Sequence, residues 1–195
     1  MILTLAITGA SGSLYAQQLL RLLAADDRVQ HIDLVASDSA LRVLAEELEL
    51  SGRNNLAEKL VGVPCAKIKQ HTDENIGANI ASGSYPSEAM VVLPCSMGTL
   101  AGIAHGMASS LIERAADVAL KERRPLVLCV RETPFNLIHL RNMTLAAEAG
   151  ATVYPVMPTL YNRPQDTAEM ARQFASRVLA HIGLPQPDAY VWTGE

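Results

Sequence analysis

Residues 2–25, ILTLAITGASGSLYAQQLLRLLAA, run from an unbroken apolar stretch through the turn Thr8-Gly9-Ala10-Ser11-Gly12 into a helical pattern. A glycine-containing turn between a buried strand and a helix is a ready anion site. The first-turn N–H groups have no intrahelical partner, and the helix dipole favours negative charge there. The turn alone leaves the ligand open.

The same alternation continues along the chain. Apolar runs at 2–7, 31–36, 65–69, 89–94, 126–130 and 151–155 read as strands. Helical patterns fall at 12–25, 39–49, 97–105, 110–122, 136–148 and 165–181. Most of the runs are β-branched or leucine-rich without alternation, as strands covered on both faces should be. The helix from 110 begins Ser110-x-x-Glu113, a capping-box pattern, and carries Leu111, Ala115, Val118 and Ala119 at core spacing. Strand–helix alternation of this kind predicts an α/β domain with a parallel sheet between two helical layers. With 195 residues and no repeat or linker, a single domain over 1–195 is expected.

Composition narrows the function. Hydrophobic residues make up 49% and charged residues 18%, which suits a folded enzyme rather than a disordered chain. The net charge of −4 and the lack of any basic run argue against a nucleic-acid partner. No apolar run approaches the roughly 20 residues that span a bilayer. Met1 leads straight into ILTLAI, which stops at Thr8-Gly9, so no signal peptide is expected and the cytoplasm is the expected location. Cys65, Cys95 and Cys129 are an odd number without C-x-x-C spacing, so neither a disulfide framework nor a metal site is indicated.

In doubly wound sheets ligands sit beyond the carboxyl ends of the strands. There the chain carries Gly9-Ala10-Ser11-Gly12, Ser37-Asp38-Ser39, Pro94-Cys95-Ser96-Met97-Gly98-Thr99, Arg131-Glu132-Thr133-Pro134 and Tyr161-Asn162-Arg163-Pro164. TGASG is similar to the opening of short-chain dehydrogenases. However, Ser13 and Tyr15 stand where T-G-x-x-x-G-x-G needs glycine, and no tyrosine has a lysine four residues on.

Two later stretches are far more specific: ERAADVALKERRPLVLCVRETP (113–134) and YPVMPTLYNRPQ (154–165). With ITGASG, ASGS (81–84) and LPCSMGTLAGIA (93–104), the chain resembles the UbiX flavin prenyltransferases from its first strand to Trp192. The resemblance implies a flavodoxin-like or Rossmann-like three-layer sandwich, a homododecamer, and no metal. It also implies a reaction in which the dimethylallyl group of dimethylallyl monophosphate becomes bonded to N5 and C6 of reduced FMN. The prenylated FMN then serves a UbiD-family decarboxylase.

Residue by residue, the resemblance assigns FMN to Gly9, Ala10, Ser11, Ser37, Ser96, Met97, Gly98, Thr99 and Arg131, with the flavin phosphate near the first strand–helix turn. It assigns dimethylallyl monophosphate to Gly83, Lys121, Arg131, Tyr161 and Arg177. Catalytic roles fall to Ser11, Glu47, Lys121, Glu132 and Trp192, with Glu47 and Trp192 supplied across subunit contacts. The tail 183–195 is expected to pack near the active site or a subunit interface. Phosphate loss from an allylic carbon separates charge, so Lys121 and Arg177 suit the leaving anion, Tyr161 a hydrogen bond to it, and Glu132 a proton transfer.

The chain departs from the family at Asp38, where lysine is common, at Leu160 and Asn162, where phenylalanine and histidine are commoner, and at Met97, which replaces a small residue. Residues given no role by the resemblance read as structural. Arg123 and Arg124, before Pro125, form a solvated helix end; His105, His139 and His181 are scattered; Cys95 and Cys129 belong to the core. Two competing readings remain. An FMN-dependent cysteine decarboxylase of the same fold carries P-A-S-A-N-T where this chain has 94–99, with Gly98 at the asparagine. A non-catalytic flavin carrier would have no use for Lys121 or Glu132.

Overall fold

The computed structural model describes residues 1–192 and 194. Six strands, β1 (Ile2–Ile7), β2 (His31–Ala36), β3 (Ile68–Thr72), β4 (Ala89–Cys95), β5 (Leu126–Val130) and β6 (Thr152–Val153), form one parallel sheet. Their order is β3-β2-β1-β4-β5-β6. The chain therefore reverses direction across the sheet between β1 and β4, and the crevice at the carboxyl ends of these two strands is the natural ligand position.

The alternation of side chains across the sheet divides the core in two. Leu3, Leu5 and Ile7 pack with α1 (Ser13–Ala25), α2 (Asp38–Leu48), α3 (Leu56–Val61) and α7 (Thr167–His181). Ala6, Val92 and Leu128 pack beneath α4 (Met97–Ala104), α5 (Leu111–Lys121) and α6 (Leu137–Glu148). This is the expected three-layer sandwich, in its Rossmann-like strand order. No helix among the described residues is long and apolar enough to cross a membrane.

Three local expectations are corrected. β3 begins at Ile68 instead of Cys65 and reads IKQHT. It is an edge strand, so its polar side chains need only specific partners: Gln70 donates to the carbonyl of Arg53 at 2.7 Å, and His71 meets Asp33 at 2.7 Å. The six-residue α3, unread in the sequence, buries Leu56 and Leu60 one turn apart. Ser110 does cap α5 by accepting from Glu113 N at 3.3 Å, but the box stays half-made. The Glu113 carboxylate turns to the N–H of Ser109 at 2.9 Å. A complete box forms at α6, between Asn136 and His139.

Candidate active site

β1 and β4 are locked together at the switch point by Thr8, a buried residue with no assigned role in the sequence reading. Its hydroxyl donates to the carbonyl of Pro94 at 2.8 Å and accepts from Ser96 N at 2.8 Å. The start of α4 is thereby fixed beside the first turn. Ser96 caps that helix, accepting from Thr99 N at 3.3 Å, with the Thr99 hydroxyl 3.0 Å away. Across the crevice Ser37 caps α2, accepting from Ala40 N at 3.1 Å, and its hydroxyl lies 3.3 Å from that of Ser39. Gly9 permits this closeness: a Cβ there would come within 2.5 Å of the Ser39 Cβ.

The first-turn amides of α1 meet a carboxylate from their own chain. Glu47, near the end of α2, accepts from Gly12 N at 3.0 Å and from Ser13 N at 2.7 Å. It does the work of the side-chain cap that Gly12 cannot supply. Burial opposes its ionisation, but hydrogen bonds from the Ser11 hydroxyl and the two amides prevail and hold its carboxyl below the ordinary range. Within one chain, Glu47 thus engages the N-terminus of α1 directly beside the Gly9–Ser11 turn.

Arg131 and Glu132 follow β5 at the same edge, and both are exposed. The backbone N–H of Arg131 bonds to the carbonyl of Cys95 at 3.2 Å, and the Glu132 carboxylate accepts from Thr133 N at 2.9 Å. Among the described residues neither side chain joins an ion pair. The Cys95 and Cys129 thiols, fully buried, are pushed up by desolvation, Cys95 to about 12, so neither is a thiolate near neutrality.

A second group gathers on the flank of the sheet, outside β6. Tyr161, Arg177 and Trp192 line a cleft of about 770 Å³ together with Tyr154, Thr159 and His181. The Tyr161 and Trp192 ring centroids are 5.6 Å apart, and both rings are largely exposed, at 72% and 64%. Trp192 is carried there by the tail. Asp188 pairs with Arg172, and Tyr190 N donates to Gln173 Oε1 at 3.1 Å. Tyr154 was missed in the sequence, although it directly follows β6. Burial raises its pKa, and Arg177 acts in the opposite direction.

Gly83 and Lys121 form a third group. The Lys121 ammonium pairs with the neighbouring Glu122 carboxylate, and a Cβ on Gly83 would come within 2.5 Å of Lys121 Nζ. Both residues lie at the amino edge of the sheet, because 121–125 leads into the first residue of β5 and Glu88 N bonds to the carbonyl of Ile2. Strand rise puts that edge on the order of 20 Å from the carboxyl edge. One chain thus brings together the Gly9–Ser11, Ser37, Glu47, Ser96–Thr99 and Arg131–Glu132 set. It holds Tyr161–Arg177–Trp192 and Gly83–Lys121 as two separate sets.

A family model described as Flavoprotein matches residues 1–179. The flavin prenyltransferase UbiX of Salmonella typhimurium is 46% identical over 194 residues, covering 98% of each chain. The UbiX of Escherichia coli K12 is 44% identical over 186 residues, covering 95% of this chain and 94% of that one. The chain belongs to the UbiX flavin prenyltransferase family. Among solved structures, a dodecameric FMN-dependent UbiX-like decarboxylase from Escherichia coli O157:H7 superposes with a TM-score of 0.88 at 38% identity, with 100% of both chains covered. AnUbiX in complex with FMN and dimethylallyl pyrophosphate superposes with a TM-score of 0.88 at 34% identity, covering 100% of this chain and 98% of that one. The FMN-dependent cysteine decarboxylase TvaF, at 18% identity and a TM-score of 0.60, shares the fold alone. It covers 78% of this chain and 88% of its own.

Proposed function

We propose that this protein transfers the dimethylallyl group of dimethylallyl monophosphate to N5 and C6 of reduced FMN, with loss of phosphate. The observation that carries the reading is the cleft in which Arg177 and Tyr161, a cation and a phenol, meet the Trp192 indole in a chain of this family. FMN suits the switch point, where the Ser37, Ser39, Ser96 and Thr99 hydroxyls gather around a turn whose Gly9 leaves no room for a Cβ, with Arg131 at the same edge. When bound, the reduced flavin supplies the nucleophilic atoms.

The chain supplies the rest. Lys121 and Arg177 neutralise the phosphate as the allylic C–O bond breaks, and Tyr161 donates a hydrogen bond to it. Arg131, exposed at the carboxyl edge, would serve both the flavin and the phosphate. Glu132 exchanges a proton with the phosphate or the flavin. Ser11 would relay a proton leaving flavin N5 to the Glu47 carboxylate, which its hydrogen bonds keep ionised to receive it. Trp192 and Tyr161 cover the apolar group and exclude water.

These parts require more than one subunit. We assign the gap between the three sets to an assembly, a dodecamer as in the Escherichia coli O157:H7 relative, that seats Gly83–Lys121 of one subunit and Tyr161–Arg177 of another against the flavin edge of a third. Exposed Leu137, Ile138 and Leu140 on α6, at 60%, 65% and 47%, support an interface there. The tail 183–195 belongs to the same single domain and brings Trp192 to the site; its residues 193 and 195 lie outside the described residues. The prenylated product passes to a UbiD-family decarboxylase in the cytoplasm.

The test is anaerobic: protein, reduced FMN and dimethylallyl monophosphate, with the flavin weighed by mass spectrometry. A flavin heavier by one dimethylallyl unit, lost in Glu132→Gln, is expected. Bound but unaltered FMN would return the cysteine decarboxylase or carrier readings.

A further inference from the structure

Residues 81–85, ASGSY, cross the amino edge of the sheet without regular structure after Ala81. The Arg124 guanidinium grips the loop twice. Nη2 donates to the carbonyl of Gly83 at 2.7 Å, and Nη1 donates to the carbonyl of Tyr85 at 2.8 Å. Arg114 Nε donates to the carbonyl of Ala81 at 3.1 Å, and the Tyr85 hydroxyl donates to buried Asp33 at 2.8 Å.

Arg124 is aimed at the loop by the way α5 ends. Arg124 N bonds to the carbonyl of Ala119 at 2.8 Å and Arg123 N to that of Leu120 at 3.0 Å, with Arg123 in the left-handed region at φ 56. That pattern closes the helix and turns the chain back. The solvated helix end read from the sequence holds for exposed Arg123 and fails for Arg124, which is half-buried.

We propose that Arg124 is a positioning residue for the prenyl phosphate, acting through Gly83. The inference rests on the reading that places Gly83 and Lys121 against that phosphate. Carbonyl oxygens turned toward a phosphate would repel it. By drawing the Gly83 and Tyr85 carbonyls onto its own fork, Arg124 keeps their negative ends directed inward. The Gly83 backbone is then held beside the paired side-chain ends of Lys121 and Glu122, which a Cβ at that position would displace. A planar fork can satisfy two carbonyls two residues apart, whereas an ammonium cannot do so with the same geometry.

The experiment compares Arg124→Gln, Arg124→Lys and Gly83→Ala with the parent enzyme, each checked for folding and assembled mass. Prenylation is followed anaerobically at saturating reduced FMN while dimethylallyl monophosphate is varied. Arg124→Gln is expected to raise KM for dimethylallyl monophosphate roughly tenfold, the scale of a lost charge-assisted hydrogen bond. FMN affinity should stay unchanged, because Arg124 holds the Gly83 and Tyr85 carbonyls and none of the residues assigned to FMN. Arg124→Lys should recover part of the loss, and it carries the test if the glutamine variant fails to fold. KM within twofold of the parent in Arg124 variants, with Gly83→Ala impaired, overturns the role of Arg124 alone. Parent-like KM in Gly83→Ala overturns the phosphate placement on which it rests. Equal loss of FMN affinity and substrate affinity would reduce Arg124 to a general stabiliser and overturn the proposal.

Discussion

Glu47 shows how one side chain can serve fold and chemistry together. Its carboxylate caps α1 from another helix, and the same contacts hold it ionised beside Ser11. Glu47→Ala should lower stability by about 1 kcal/mol, the usual cost of a lost cap, measured by denaturant unfolding. Glu47→Gln should keep most of that stability yet slow prenylation, since an amide cannot take up the proton. Asp33 is the other residue whose environment makes a prediction. Burial opposes its charge, but His71 and Tyr85 bond to it and keep its pKa lowered. Burial and the Asp33 hydrogen bond push Tyr85 up to about 12. A folded pKa above the unfolded value means stability present below pH 10.0 and lost as pH rises toward about 12. The stability advantage of the parent over Tyr85→Phe should therefore shrink across that window in pH-dependent unfolding. A constant difference would contradict the Asp33–Tyr85 contact. Glu47 was legible only through the family motif, because nothing local in ALRVLAEEL marks a glutamate that caps a helix 34 residues earlier.

At the scale of elements, β1, β2, β4 and β5 were readable because strands covered on both faces must be apolar throughout. β3 was misplaced because an edge strand is free of that demand, and its His71 and Gln70 answer to partners far away in sequence. Of β6, expected over five residues, only Thr152–Val153 pairs; beyond it Tyr154 still bonds to the carbonyl of Leu128 as the chain leaves for the cleft. The end of α5 was half legible. A cationic helix terminus was expected, but the backbone geometry that sends Arg123 outward and Arg124 inward has no local signature without glycine. Arg123→Gly should relieve the left-handed strain and raise the unfolding midpoint, by roughly 0.5–1 kcal/mol in stability. No change, or a loss, would show that the arginine side chain has contacts of its own worth as much.

For the whole molecule, the motif reading collected one list of site residues, and the fold distributes them over a carboxyl edge, an amino edge and a flank. Spacing along a chain says which end of a strand a residue follows, but not which subunit faces it. The exposed face of α6 gives one check: Ile138→Asp should shift the assembly toward smaller species in light scattering and lower prenylation with it. The central claim is that no single subunit owns a complete site. Its most direct test is complementation, in which Lys121→Ala and Arg177→Ala chains, each inactive alone, are co-expressed and purified as mixed assemblies. Random mixing should let about a quarter of sites draw lysine from one parent chain and arginine from the other, so flavin prenylation should return to that fraction of the parent rate. Mixed assemblies of native mass that form no prenylated flavin would contradict the account.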